Sequence, residues 1–485
     1  MIHSFLQKVK SAGEFCLDVL FKPAESIPAK RAAMVLLAGL FVGGLIHWGT
    51  FLGWFDNHFD IQDWHLQVGP YLDFLSNALK SGQFPMHAES PYMVPDRYLA
   101  RQNRPFSPQI FLLYFLEPSA YVLANVWILY AIGFVGLLLI YGRYRLSIIA
   151  FFSSFILFNL NGHIIAHMAV GHFEWVGYFL LPFYALLVMK MLEGEKTGWK
   201  WSLSMAITML AITLQGAAHL FIYSMAFLLL IGLLQPRFFQ PAIKAIILSG
   251  LASMLRILPP ALQYAGGTGL KYLGGFVSVF QLLQSFIDPS IPRGNWEKEY
   301  YVGAIGFAFI LYFGIIRNWI KDERYRPLCL PMLVMALFSI GSIYQPLFNS
   351  SFPLLDSQRA PTRFLIVPVV FLIILASIQF DSFLKEQGQA GWEKKAMMLI
   401  GGALMTYDLI YHSRVWSLEN YGTSKRATDI IEVAVGNHPD PPYLAMLIAG
   451  SACTLVTLIA LGFLASRERG ETGLMASQSS RGRPA

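Results

Sequence analysis

Three carboxylates and two histidines fall within twelve residues, in the stretch Asp56–Gln67 (DNHFDIQDWHLQ). A carboxylate that is held in place and partly shielded from water suits the role of general base toward a hydroxyl group. Asp63 fits best, because helical periodicity begins just after it and the amides of a helix start favour an anion. Asp60 and Asp56 are the alternatives. The competing explanation is that these acids only solvate a loop and cap a helix.

Three arginines are candidates to bind an anionic group such as a phosphate. Arg359 and Arg363 are four residues apart at the expected start of a membrane helix, so they are predicted to share one face. Planar guanidinium groups suit phosphate, although two arginines that snorkel to the membrane surface would give the same pattern. Arg256 stands among apolar residues and needs a partner, for which a bound phosphate or Asp408 is expected.

Glu299 and a group of histidines are further candidates. Glu299 opens the helix after the second long polar segment, where it would orient an acceptor, bind a metal or simply cap the helix. His163 and His167 are one helical turn apart, a spacing that binds zinc when a third ligand is fixed. The sequence fixes no third ligand, so bonds to sugar hydroxyls or lipid headgroups are the alternative. A hard cation held by Asp63 and Glu299 would also suit oxygen ligands.

The elements that must position these residues are membrane helices. The chain has 485 residues, of which 55% are hydrophobic and only 13% charged, and its mean hydropathy is +0.51. Soluble domains carry roughly 25% charged residues. In hydrocarbon only helices and closed barrels satisfy their own backbone, and continuous apolar runs of this length favour helices over the alternating strands of a barrel. The sequence therefore predicts an all-α polytopic membrane protein.

About twelve apolar segments are long enough to be candidate transmembrane helices: 32–55, 119–141, 146–161, 174–190, 201–218, 220–236, 241–258, 302–316, 328–344, 362–380, 396–412 and 442–466. An amphipathic helix at the cytoplasmic surface (1–30) is expected before the transmembrane domain (31–466), and a disordered cytoplasmic tail (467–485) after it. Lysine and arginine placement puts both termini inside. The outer loops are then 56–118, 257–301 and 413–441, and the helical stretch 67–80 is predicted to lie on the membrane surface.

Other classes find little support. Cys16, Cys329 and Cys453 are far apart and form no readable disulfide or metal motif. The sequence contains no phosphate-binding loop, no dinucleotide fingerprint and no nucleic-acid module.

Several short motifs follow one another in a fixed order: Asp63-xxx-Gln67, Lys80-Ser-Gly-Gln-Phe-Pro85, Gly171-His-Phe-Glu-Trp175 with Leu181-Pro182, Glu299-Tyr-Tyr-Val-Gly303 and Arg359-Ala-Pro-Thr-Arg-Phe364. Together they resemble the YfhO-like branch of the GT-C superfamily of integral-membrane glycosyltransferases. The chain departs from that pattern in two places. Gln215-Gly-Ala-Ala-His219 replaces a compact glycine-histidine-x-glutamine, and Gln62 replaces the usual glycine before the aspartate.

The resemblance implies a GT-C arrangement of helices and an inverting enzyme that moves a sugar from a polyprenyl-phosphate donor to a hydroxyl of a glycan, lipid or protein acceptor. The reaction would take place at the outer face of the bacterial inner membrane. The family's first-loop aspartate is the base, a role that Asp63 inherits, with Gln67 in support. The full candidate set is Asp63, Asp60 and Glu299 for catalysis, and Gln67, His65, His172, Arg256, Arg359 and Arg363 for substrate binding.

No cofactor is required by these residues, no metal ligand is assigned, and a divalent cation stays open because some relatives need one. Membrane lipids and a membrane-protein partner are expected contacts, and nucleic acid is not. Two other classes remain: a multi-span transporter or lipid flippase, which would place ionisable residues midway along interrupted helices, and a non-catalytic subunit of a membrane complex.

Overall fold

The computed structural model describes residues 13–90, 94–264, 270–289, 295–350, 355–387, 391–421, 427 and 431–481, without the side chains of 262–264 and 469–481. Helices make up most of this part of the chain, and strands only six residues in all. The predicted all-α polytopic fold class is confirmed.

Helices α1 to α9 are Ile27–Phe51, Gly69–Lys80, Pro118–Tyr144, Ile148–Leu160, Gly162–Ala169, Leu181–Leu192, Trp199–Leu214, Ala218–Leu234 and Phe239–Ala252. Helices α10 to α18 are Met254–Tyr264, Val279–Gln284, Gly303–Phe309, Asn318–Lys321, Arg326–Phe338, Gly341–Asn349, Ile366–Glu386, Trp392–Trp416 and Pro441–Arg481. Tighter 3-10 turns occur at Tyr98–Ala100, Pro108–Tyr114, Phe173–Leu180, Pro236–Phe238, Trp296–Lys298 and Pro361–Leu365, and π-helical turns at Trp64–Val68 and Ile310–Arg317. Strands β1 (His87–Glu89) and β2 (Ala434–Gly436) pair antiparallel.

Fewer helices than the predicted twelve are, by length and composition, long and apolar enough for a full span among the described residues. Each of the twelve apolar segments coincides with helix over most of its length. Within the described residues, however, seven helical stretches are long and apolar enough to cross a membrane, or eight if a pair bent by 74° counts as one span. They are Ile27–Phe51, Pro118–Tyr144, Ile148–Ala169, Phe173–Leu192, Trp296–Lys321, Pro361–Glu386 and Pro441–Glu468, with the bent pair Pro236–Ala252 and Met254–Ala261. Helices α8 and α14 are apolar but shorter.

Three of these stretches form the centre of the bundle. The apolar windows of Ile148–Ala169 and Pro361–Glu386 are each 94% buried, and that of Phe173–Leu192 is 83% buried. Ile27–Phe51 and Pro441–Glu468 are only 22% buried and lie at the periphery. The motifs of the sequence therefore sit at the ends of the most enclosed helices.

A single asparagine divides the central run into two helices. The Asn161 side chain accepts a hydrogen bond from Ile164 N at 3.3 Å, which caps the start of α5, and donates to Leu157 O at 3.2 Å, which binds the end of α4. Asparagine is a preferred residue at this capping position. The short α5 carries His163 and His167.

The loops predicted to lie outside meet at one end of the bundle. Strand β1 belongs to the first of them and β2 to the third. Helix α2 confirms the predicted helix of the first loop, but Tyr71, Leu72 and Leu75 are buried in the protein, so its apolar face packs inward where a membrane-surface position was predicted.

The predictions for the two termini remain open. Residues 13–21 are helical, and the first twelve residues of the predicted amphipathic helix lie outside the described residues. The backbone of α18 is described to Arg481, beyond the expected start of the tail, and the tail's disorder stays a prediction.

Candidate active site

Asp63 is fixed at the start of the π-helical turn Trp64–Val68 by contacts with the end of α5. Its backbone N–H donates to Val170 O at 3.0 Å, and the Trp64 indole N–H donates to Met168 O at 3.1 Å. Within the described residues the Asp63 side chain makes no hydrogen bond that caps the turn. A capping role alone therefore does not account for this carboxylate.

Gly171 permits this close approach. It adopts a left-handed backbone conformation with φ +91°, which favours glycine. A Cβ at this position would lie 2.2 Å from Trp64 N and 3.0 Å from Trp64 Cα. The glycine of the glycine-histidine motif thus lets two backbones touch, and that contact brings the next residue, His172, to Asp63.

Four polar side chains lie next to one another in a row that begins with Asp63. Asp63 Oδ2 lies 3.1 Å from His172 Nε2, and His172 Nδ1 lies 2.5 Å from His167 Nδ1. His167 Nε2 is in turn 3.8 Å from Glu297 Oε2. When His172 donates from Nε2 to Asp63, its Nδ1 must accept from His167 Nδ1–H in the neutral pair. The hydrogen bonds from Asp63 therefore end at His167, because its Nε2 carries no proton in this arrangement and lies beyond hydrogen-bond distance from Glu297.

Arg363 closes this row at its far end. Its Nε donates to Glu297 Oε2 at 2.7 Å, and its Nη2 donates to Glu297 Oε1. The guanidinium also lies 5.7 Å from the centre of the Trp175 ring, on which His167 stacks at 4.3 Å. Arg363 is buried and Glu297 is largely buried, with side-chain exposures of 9% and 14%. Fork-shaped pairing of this kind neutralises both charges and fixes their geometry.

The opposite end of the row is open to solvent and stays ionised. The Asp63 side chain is 27% exposed. Burial alone would raise its pKa, but the hydrogen bond and charge of His172, with Gln67 and Arg104, hold the pKa below its ordinary value. Gln67 Oε1 in turn lies 3.4 Å from Arg104 Nη1. Asp63 is therefore an ionised carboxylate at neutral pH.

Arg256 has a different partner from the one expected. Its guanidinium donates to four backbone carbonyls of the first loop, those of Leu99, Arg101, Gln102 and Arg104, at 2.6–3.3 Å. Asp408, the expected carboxylate, instead accepts from the Tyr301 hydroxyl at 2.8 Å. Arg256 clamps the loop that carries Arg104, and its predicted contact with phosphate is untested.

Arg359 and Arg363 do not share a helical face. The 3-10 turn begins at Pro361, so Arg359 precedes the helix, and the i, i+4 argument fails. Arg359 is exposed, whereas Arg363 is buried against Glu297. Of these two arginines, Arg359 is therefore the one that solvent can reach.

Glu299 lies beside the row and not in it. Its carboxylate is buried, with Oε1 3.4 Å from His412 Nε2, and it faces Gly162 at the start of α5. Glu297, two residues earlier, contacts His167 and Arg363 instead. Sequence reasoning missed Glu297, although the need of a buried Arg363 for a counter-charge would have pointed to a carboxylate nearby.

The remaining acidic residues of the first stretch border a separate space. Asp56 and Asp60 line a cavity of 290 Å³ together with Glu419 of the third loop and Trp64. Asp60 therefore borders this cavity and stays an alternative base. His65 is half-buried on the π-helical turn after Asp63.

The residues that could bind a metal ion in the structure are not the pair His163 and His167 considered in the sequence. His163 stacks on Tyr300 with ring centres 4.3 Å apart. His167, His172 and Glu297 instead bring one ligand atom each within 4.8 Å of one another. Both Glu297 oxygens already accept from Arg363, so Glu297 as placed is engaged by a cation of the protein itself. The prediction of a divalent cation is untested.

Fold and site together define a polytopic all-α membrane protein in which Asp63 contacts a pair of histidines, His172 and His167, at the ends of central helices. No family model and no curated protein matches the chain. Among solved structures, the cryo-EM structure of the arabinofuranosyltransferase AftD from Mycobacteria is similar, with a TM-score of 0.49 and 12% sequence identity. The similarity covers 80% of this chain, which spans only 27% of that one. A likeness of this size assigns no activity.

Proposed function

We propose that the protein is an inverting membrane glycosyltransferase of GT-C type that uses a polyprenyl-phosphate sugar as donor. The observation that carries the proposal is the contact between Asp63 and His172, which belong to two separate motifs of the sequence. An ionised, partly exposed carboxylate at the mouth of a membrane bundle suits a base for an acceptor hydroxyl.

In the proposed reaction the acceptor oxygen attacks the anomeric carbon of the sugar from the face opposite the phosphate. The bond between that carbon and the phosphate oxygen breaks, and the polyprenyl phosphate leaves with the electron pair. Asp63 takes the acceptor's proton, while His172 holds the carboxylate in place. Arg363 is already neutralised by Glu297, so Arg359 and the nearby Arg104 are the better candidates to stabilise the departing phosphate.

We place this site at the outer face of a bacterial inner membrane, with both termini in the cytoplasm. Asp63 of the first predicted outer loop lies beside His172, and Glu297 of the second lies beside His167, which contacts His172. Strand β2 of the third loop pairs with β1 of the first. Loops that contact one another in this way belong on one side of the bilayer, as the lysine and arginine distribution predicts.

The test is sugar transfer by the purified full chain from a panel of polyprenyl-phosphate sugars, with Asp63→Asn compared against Asp56→Asn and Asp60→Asn. Loss of a general base typically slows a reaction about 10²–10⁴-fold. We expect that loss in Asp63→Asn and near-normal rates in Asp56→Asn, whose side chain is 82% exposed. Transfer lost in Asp60→Asn but kept in Asp63→Asn would move the base to the cavity. Transfer from no donor would refute the proposal.

A transporter is less well supported by the same residues. Transport sites are expected near the middle of the membrane. Asp63, His172, Glu297 and Arg363 each lie at or near the start of a helical turn, and His167 lies two residues from the end of α5. Uphill flux in proteoliposomes without a glycosidic product would favour transport. A stable partner, with indifference to every loop carboxylate, would favour a non-catalytic subunit.

A further inference from the structure

A second cluster of metal-binding side chains lies away from the candidate active site, where the first and third loops join. His87 is the first residue of β1, and His438 follows two residues after the end of β2. Asp96 stands between them: its Oδ1 is 2.8 Å from His87 Nδ1, and its Oδ2 is 3.2 Å from His438 Nε2. The three residues come from two loops more than 300 positions apart in the sequence.

We propose that His87, Asp96 and His438 bind a divalent transition metal of the zinc type, which fastens the first loop to the third. Two imidazoles and one carboxylate are ligands that zinc takes, at about 2.0–2.2 Å each. Ligands at such distances in a tetrahedron lie about 3.3 Å from one another. The ligand atoms of the three side chains all lie within 4.8 Å of one another, so small side-chain rotations complete the site.

Burial of one ligand sets this cluster apart from a chance meeting of surface residues. His87 is only 2% exposed, whereas Asp96 and His438 are 50% and 47% exposed. His87 belongs to strand β1, and the centre of its ring lies 3.9 Å from the centre of the His438 ring. One side of the site is therefore preformed, and the other is open to an entering ion and to a water as fourth ligand.

The charges around the cluster suit a cation. Arg97, the nearest positive group along the chain, is bound by Asp440 through two hydrogen bonds of 2.6 and 3.0 Å. Its charge is thereby neutralised, and the Asp96 carboxylate faces both imidazoles. The backbone supports the same geometry, because Ala88 N–H donates to Asp96 O at 2.8 Å.

The site is testable without any enzymatic assay, and the inference does not depend on the proposed function. The purified full chain in detergent is stripped with a chelator and titrated with ZnCl₂, while bound zinc and the melting temperature are measured. We expect one zinc per chain and a melting temperature that falls on stripping and returns with zinc. His438→Gln, at an exposed position, should fold normally and bind zinc at least tenfold more weakly, as should Asp96→Asn.

His58→Gln is the matched control, since His58 lies 3.6 Å from Asp56 in the same loop as another histidine–carboxylate pair. It should bind zinc as the wild type does. Zinc that binds His438→Gln and Asp96→Asn with unchanged affinity would overturn the proposal. So would zinc lost from His172→Gln but kept by His438→Gln, which would assign the ion to His167, His172 and Glu297.

Discussion

Removal of Arg363 should be among the most damaging single changes in the chain. Arg363→Gln leaves the Glu297 carboxylate buried without its counter-charge. Breaking one side of a buried pair costs about 3–5 kcal/mol. Glu297→Gln strands the guanidinium and should cost a similar amount. The double variant removes both charges, and its two amides can bond each other, so we expect it to lose only about 1–2 kcal/mol.

The assay is unfolding of the purified protein by denaturant in mild detergent, analysed as a double-mutant cycle. Arg326→Gln is the control, because Arg326 forms an ion pair with Glu323 at 3.0 Å whose members are 39% and 82% exposed. Exposed pairs contribute about 1 kcal/mol or less. The loss in Arg363→Gln should also shrink between pH 8 and pH 5, since a proton on Glu297 removes the stranded charge.

Two results would refute this reasoning. If Arg363→Gln lost no more free energy of unfolding than Arg326→Gln, the pair would be hydrated and not buried. If the double variant lost the sum of the two single losses, the two side chains would act independently, and Glu297 and Arg363 would not form a neutralised pair.

Two other substitutions test the approach of the first loop to α5 and the charge on Asp63. Gly171→Ala combines a left-handed backbone with a collision against Trp64, so it should lower the free energy of unfolding by about 3 kcal/mol or more. The control Gly82→Ala, at φ +68° with nothing within 4 Å of the added Cβ, should lower it by about 1 kcal/mol. Equal melting temperatures for the two variants would contradict the contact between Gly171 and Trp64. Asp63 has a pKa below its ordinary value of 3.8, so its ionised form stabilises the fold above that pH and the benefit is lost as pH falls through the lowered pKa. The melting temperatures of Asp63→Asn and wild type should therefore differ at pH 7, and the difference should begin to shrink as pH falls below about 4. A difference that stayed constant as pH was lowered further would show that the charge is irrelevant.

The helices were predictable because their signal is local. Continuous apolar runs give every predicted segment its helical core, and Asn161 marks the break between α4 and α5 as a capping residue should. The number of full-length spans was harder to predict. Apolar runs in the sequence do not show that α14 is shorter than a full span or that the charged residues of α17 lower its mean hydropathy.

The site was predictable in part. Asp63 and His172 came from motifs in which a short sequence pattern fixes a backbone geometry, and the structure brings them into contact. Glu297 was missed because spacing favours Glu299, and only the 3-10 turn Trp296–Lys298 decides which of the two faces His167. The partners of Arg256 are backbone carbonyls, which leave no side-chain signature in any sequence.

The contacts between the first loop and the start of α18 have a consequence for how the protein is made. Arg97 bonds to Asp440, and Leu99 N–H to the Tyr443 hydroxyl, across separations of 343 and 344 residues. At 5–20 residues per second, a ribosome needs roughly 20 to 70 s to supply the second partner. Throughout that interval the later helices enter the bilayer while the first loop lacks these two contacts. A nascent chain that stopped before Tyr443 would therefore expose an incompletely bonded first loop to quality-control proteases.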